Sequence, residues 1–250
     1  MSGWRAWAAA ATVLLVSACG GAPTAEGPAS SPPPVGRPEP SPTPSARPPL
    51  TWTYTFLTGR QGSVRWKVKV PMFAGSPVAK PVNRRVRASA QSAIQVAVAE
   101  GRDDQGERRT LTGEGEVTVN DGRTVQVRIS YSDNLAGTAH PILSVRTTAL
   151  RAESGTPLTL DTVFTDKRAA MRTLKPLILR AAQAAGEDVT EPSGLAARDV
   201  NWSAWQTSAF GMSFDFQDYQ LGGHGLRRYT VPWIDVRPLL RPDARELLGA

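Results

Sequence analysis

His140 and His224 are the only two histidines in this 250-residue chain, and each sits in a glycine-bearing turn beside an extended run. The turns read Gly137-Thr138-Ala139-His140 and Gly222-Gly223-His224-Gly225, with Asp133, Asp215 and Asp218 close by in sequence. If the neighbouring strands pair, both imidazoles face one cleft. Ser213 would then be a nucleophile, a histidine its base and Asp218 the orienter, an ester-hydrolase constellation defined by geometry rather than by motif. The motif itself is missing. Gly211-Met212-Ser213-Phe214-Asp215 lacks the second glycine that lets backbone approach behind a strained nucleophile. A serine alternating with apolar residues reads more simply as the solvent side of a strand. A histidine in a turn also serves to cap it, or to pack beside a neighbour such as Pro141. There is no His-Glu-x-x-His and a single cysteine, so neither a metal site nor any other cofactor is expected.

Binding chemistry has its own candidates. Trp202 and Trp205 lie three apart in Asn201-Trp202-Ser203-Ala204-Trp205-Gln206, among polar neighbours and without clean periodicity. A flat apolar ring with an N–H suits stacking on a sugar or anchoring a protein partner, and it suits closing one end of a core just as well. Arg227-Arg228, beside the second histidine turn, adds contact for an anionic group. Non-catalytic binding through Trp202, Trp205, His140 and His224 is the first expectation, and the hydrolase using Ser213 with His224 or His140 is the alternative.

The formal charge is +7, carried on dispersed Arg and Lys. Such a balance favours anionic polymers in general. No run of five basic residues and no nucleic-acid motif is present, so a nucleic-acid partner is not expected. The lone cysteine follows Arg5, an apolar run from Trp7 to Val16, and Ser17-Ala18. This is the pattern of a secretory signal over residues 1–18 ending at a lipobox-like Cys19. The apolar run is about half of the roughly 20 residues that span a bilayer. A lipid anchor at Cys19 on the extracytoplasmic face of the cell membrane is therefore expected, since each buried methylene adds about 0.8 kcal/mol. Residues 19–50 form a linker that carries eleven of the 21 prolines and few side chains to bury. Such a stretch stays extended, at ~3.1 Å per residue in the polyproline form.

The elements that must position these residues begin near Thr51. Trp52, Tyr54 and Phe56 alternate with threonines, and Val64, Trp66, Val68 and Val70 alternate with Arg and Lys, which predicts two half-buried strands. Pro81 opens a helix whose face is Val82, Val86, Ala90, Ala93 and Ala97. A hairpin follows, turning at Asn120-Asp121-Gly122. Ile142 to Leu150 is extended, and Leu158-Thr159-Leu160 reads as a short strand leading into a helix start. Thr165 caps a second main helix through Ala185, kinked or restarted at Pro176. Phe210, Met212, Phe214 and Phe216 define a strand with one buried face. Tyr229, Val231 and Trp233 lie on a last strand before short C-terminal helical segments. Segregated strands with two main helices give an α+β class with antiparallel sheets.

Three segments together resemble the RsiV-like family of extracytoplasmic domains, filed as DUF3298 and commonly preceded by a DUF4163 segment. They are the turn Gly137–His140, the stretch Gly155-Thr156-Pro157-Leu158-Thr159-Leu160-Asp161-Thr162-Val163-Phe164, and Phe216-Gln217-Asp218-Tyr219 running to Gly225. Asn83 matches an asparagine that recurs near the helix start of the DUF4163-like half. The resemblance implies a DUF4163-like part over 51–135 and an RsiV-like part over 136–250. It further implies an envelope protein that binds a lysozyme-like protein, as the RsiV anti-sigma factor does, or a cell-wall glycan, as a non-catalytic module would. Some secreted relatives are described as esterases, which keeps the hydrolase alternative open.

Overall fold

The computed structural model describes residues 47–102 and 107–250. The expected signal segment over 1–18, Cys19 and most of the proline-rich linker lie outside the described residues. From Thr51 onward the architecture is α+β, built from a five-stranded and a three-stranded sheet.

The first sheet has the order β1-β2-β3-β4-β5. Its strands are β1 (Thr51–Gln61), β2 (Val64–Ala74), β3 (Arg109–Asn120), β4 (Thr124–Leu135) and β5 (Ile142–Arg151). One pairing departs from the expected antiparallel pattern. β2 and β3 run parallel, with Val64 opposite Arg109, because the helix α1 (Ala79–Glu100) carries the chain back across the sheet between them. A parallel neighbour needs such a crossover. The helix buries the stripe Val82, Val86, Ala90, Ala93 and Ala97 against Val64, Val68, Val125, Val127 and Ile129. Full burial of a valine or isoleucine contributes roughly 1.5–3 kcal/mol each, so this layer dominates the stability of the N-terminal half. Asn83 ties helix to strand: its amide accepts from the Phe73 N–H at 2.7 Å and donates to the Phe73 carbonyl at 2.9 Å. The β3–β4 hairpin turns where its sequence asks it to, with Gly122 at φ 79° and the Asp121 carboxylate taking the Arg123 and Thr124 N–H groups.

The second core lies over the other layer. β6 (Trp205–Thr207), β7 (Gly211–Phe216) and β8 (Arg227–Pro232) form the small antiparallel sheet. Met212, Phe214 and Phe216 pack with Met171, Leu174 and Ile178 of α3 (Lys167–Ala184). Asp166, not Thr165, caps α3 by accepting from Ala169 N–H at 2.9 Å. Pro176 does not restart the helix, which runs through it without a break. Leu158 to Leu160 make no strand. Pro157 forms an isolated bridge to Leu150, and Thr159 closes a capping box with Thr162 over the single turn α2 (Leu160–Val163). The last short helices are α4 (Asp199–Trp202), α5 (Trp233–Val236) and α6 (Pro242–Leu248).

The two layers meet through polar groups. β7 is buried on both faces, so the expectation that Ser213 and Asp215 face solvent fails. Their side of β7 lies on the outer face of β4. There Asp215 accepts from Arg128 Nε at 3.2 Å and Arg228 Nε at 2.9 Å through one oxygen, and from Gln206 Nε2 at 3.0 Å through the other. Gln126 clasps Thr207, donating to its hydroxyl at 2.6 Å and accepting its N–H at 2.8 Å. A buried carboxylate persists only when so paired.

Candidate functional site

The two histidine turns come together. β5 is the last strand of the first sheet, and its free edge is closed by the loop after β7. Asp218 N–H donates to the Leu143 carbonyl at 3.2 Å, and Gln217 bonds both the N–H and the carbonyl of Val145 at 2.8 and 3.0 Å. This brings the 217–225 loop beside His140, which immediately precedes β5. The His140 and His224 ring centroids are 4.1 Å apart. Tyr219 closes the group, its hydroxyl 3.1 Å from His140 Nε2.

The loop is shaped for this. Gly222, Gly223 and Gly225 take positive φ, and Tyr219 does so too, at 60°. A bulky side chain in the left-handed region is costly, of order 1 kcal/mol or more. Here it is held by its N–H donating to the Gly223 carbonyl at 3.2 Å. Behind the rings lies Asp218, whose carboxylate is 1% exposed. It accepts from the Leu143 and Gly225 N–H groups at 3.0 and 2.6 Å and meets His224 Nδ1 at 3.0 Å. Burial by itself pushes this carboxyl up. The two backbone donors and the imidazole outweigh it and hold the group below the usual aspartate value.

Ser213 has no part in the cluster. Its hydroxyl is buried and shares a 2.7 Å hydrogen bond with Thr230, whereas the imidazole nitrogens meet Tyr219, Pro141 and Asp218. The hydrolase triad expected from Ser213 therefore does not form, because the first sheet, through β4, covers the strand face that was to present it.

Trp202 and Trp205 are likewise corrected. Both are buried, at 0% and 4% exposure. Trp202 stands edge-on to Phe214 and Phe216 at 5.2 and 6.0 Å, and its Nε1 donates to the Ala196 carbonyl at 3.0 Å. That bond removes the cost of burying an indole N–H, so the ring belongs to the core.

Exposed aromatics occur elsewhere. Trp52, Tyr54 and Phe56, expected to be half-buried, are 44%, 45% and 49% exposed. They line one face of the edge strand β1. On the same sheet face Lys67 lies 4.8 Å from the Phe56 ring and Lys69 4.4 Å from the Tyr54 ring. Cross-strand register adds Arg60 and Arg65, and Glu114 offsets Lys69 at 3.4 Å. The C-terminal layer covers this outer face over β4, β5 and part of β3, where Arg228 reaches Glu116 at 3.9 Å, leaving an open shelf of aromatic rings and cations over β1, β2 and the Glu114 end of β3.

A third feature is a cleft of about 470 Å³ beside α1, lined by Arg85, Ser89, Thr159 and Trp205. At its rim Lys167 bridges Asp161 and Asp199 at 2.8 Å each. Those two hydrogen bonds raise its ammonium above the ordinary lysine value. Among the described residues no three His, Cys, Asp or Glu side chains gather as a metal centre.

No protein-family model matches this sequence, and no curated protein matches it. Several solved structures share the fold. A DUF3298 family member from Bacteroides fragilis superposes with a TM-score of 0.56 at 14% identity, over 80% of this chain and 98% of its own. A DUF3298 family protein from Pseudomonas aeruginosa gives 0.56 at 12% identity, over 81% and 98%. The likeness is one of fold: the α+β arrangement of this chain is that of DUF3298 family structures.

Proposed function

We propose that this protein is a non-catalytic binding module of the cell envelope, lipid-anchored at Cys19, whose ligand is an anionic wall glycan. The open shelf on β1 to β3 carries the proposal. Three adjacent exposed rings offer faces for sugar stacking, and the lysines and arginines beside them supply cations for acidic groups on the same polymer. A strand that exposes Trp, Tyr and Phe in a row without covering them has an apolar patch that calls for an occupant. The overall charge of +7 favours an anionic glycan over a cationic protein such as lysozyme, since like charge opposes encounter. The signal segment and proline-rich linker preceding the domain are consistent with a tether.

The test is retention of the full chain on purified wall sacculi, before and after their anionic polymers are stripped. Trp52→Ala/Tyr54→Ala/Phe56→Ala is expected to weaken binding at least tenfold while folding is kept, because exposed substitutions cost little stability. Lys67→Glu/Lys69→Glu is expected to weaken it and to flatten its salt dependence. Equal retention of all three proteins would end the proposal. Cys19→Ser is expected to release the chain from the membrane fraction.

A further inference from the structure

The geometry points to a second, independent site: a surface centre for a borderline divalent transition ion, with His140 Nε2, His224 Nε2 and the Tyr219 oxygen as ligands. Three features converge on it. The rings sit on two loops far apart in sequence, yet the imidazole centroids are 4.1 Å apart and the Tyr219 ring lies 6.2 and 5.8 Å from them. The partners of both Nδ1 atoms are acceptors as well. Asp218 engages His224 Nδ1 at 3.0 Å, and the Pro141 carbonyl lies 3.4 Å from His140 Nδ1. A proton on each Nδ1 leaves the lone pair on each Nε2, the atom that ligates. A buried carboxylate behind a ligating histidine is the usual arrangement for fixing the ring and raising its basicity. Finally, the Tyr219 hydroxyl and His140 Nε2 stand 3.1 Å apart. Two ligands on a tetrahedral ion with bonds of about 2.0 Å stand about 3.3 Å apart, so this pair already has the spacing of one edge.

Imidazole and phenolate donors suit Cu(II) and Zn(II) better than Mg(II) or Ca(II). On binding, the ion takes the Nε2 lone pairs and the phenol oxygen, and the phenol proton passes to water. Water completes the coordination. Asp218 is a positioning residue that touches no metal.

Cu(II) is the strictest probe, because divalent affinities peak at copper for a given donor set. The full chain carrying Cys19→Ser, so that no thiol competes, is dialysed against Cu(II) and examined by paramagnetic resonance and metal analysis. One bound equivalent with couplings from two nitrogens is expected. His140→Ala/His224→Ala should abolish it, and these exposed side chains should leave the circular dichroism unchanged. Tyr219→Phe should alter the spectrum, and Asp218→Asn should weaken binding roughly tenfold to a hundredfold. A signal without two nitrogens, uptake that survives the double histidine change, or a spectrum indifferent to Tyr219→Phe overturns the assignment. None of these readouts depends on the sheet shelf.

Discussion

Removing the Asp215 carboxylate should loosen the joint between the two layers. The side chain is fully buried and joins Arg128 of the first sheet to Arg228 and Gln206 of the second. Taking one partner from a buried ion pair leaves the other charge uncompensated, which costs about 3–5 kcal/mol. Two features reduce that figure here. Arg228 is 41% exposed and can turn to water, and Arg128 retains Glu116 at 3.7 Å. Exposed pairs contribute only about 0–1 kcal/mol, so Asp215→Ala is expected to cost about 2–4 kcal/mol. Asp215→Asn keeps the shape and one acceptor and should cost about half as much. The assay is urea unfolding at neutral pH, followed by tryptophan fluorescence and far-ultraviolet circular dichroism. With Trp52 and Trp66 of the first sheet replaced by phenylalanine, fluorescence from the folded region follows Trp202, Trp205 and Trp233 in the second core, so a loosened joint should shift that probe first and separate the two transitions. A loss below about 1 kcal/mol, with coincident transitions, would refute the view that this carboxylate joins the layers.

Trp202→Ala should cost about 3–5 kcal/mol by leaving a cavity between Phe214 and Phe216; urea unfolding measures this, while wall retention under native conditions should be unchanged. Asp218 has a depressed carboxyl, so its contribution to stability is present above the unfolded aspartate value and is lost as pH falls through the folded value. Asp218→Asn should therefore flatten the acid limb of thermal stability. Tyr229, pushed up to about 12 by burial and by its 2.6 Å hydrogen bond to Glu187, contributes stability below pH ~10 that is lost as pH rises towards 12. Ultraviolet titration of Tyr229→Phe should lose one late-ionising phenol.

Local patterns alone carried several elements. The α1 stripe, the Asn120–Gly122 turn and the alternation of Met212, Phe214 and Phe216 are legible because each is a matter of period or backbone conformation within a few residues. The two histidine turns were visible in the same way, as glycine-rich breaks between extended runs.

Alternation says that a strand has two faces, and only the tertiary structure decides which faces are covered. Trp52, Tyr54 and Phe56 alternate as a half-buried strand does, but β1 is an edge and no second layer reaches it. Ser213 and Asp215 alternate as a solvent face does, but β4 lies against them and supplies Arg128. Trp202 sits among polar neighbours, yet a carbonyl six residues away satisfies its N–H and lets the ring enter the core. His140 and Tyr219, 79 residues apart, meet because the loop after β7 closes the free edge of β5 through Gln217 and Asp218. Sequence determined which side chains were available. Long-range hydrogen bonding and layer packing determined which of them share a site.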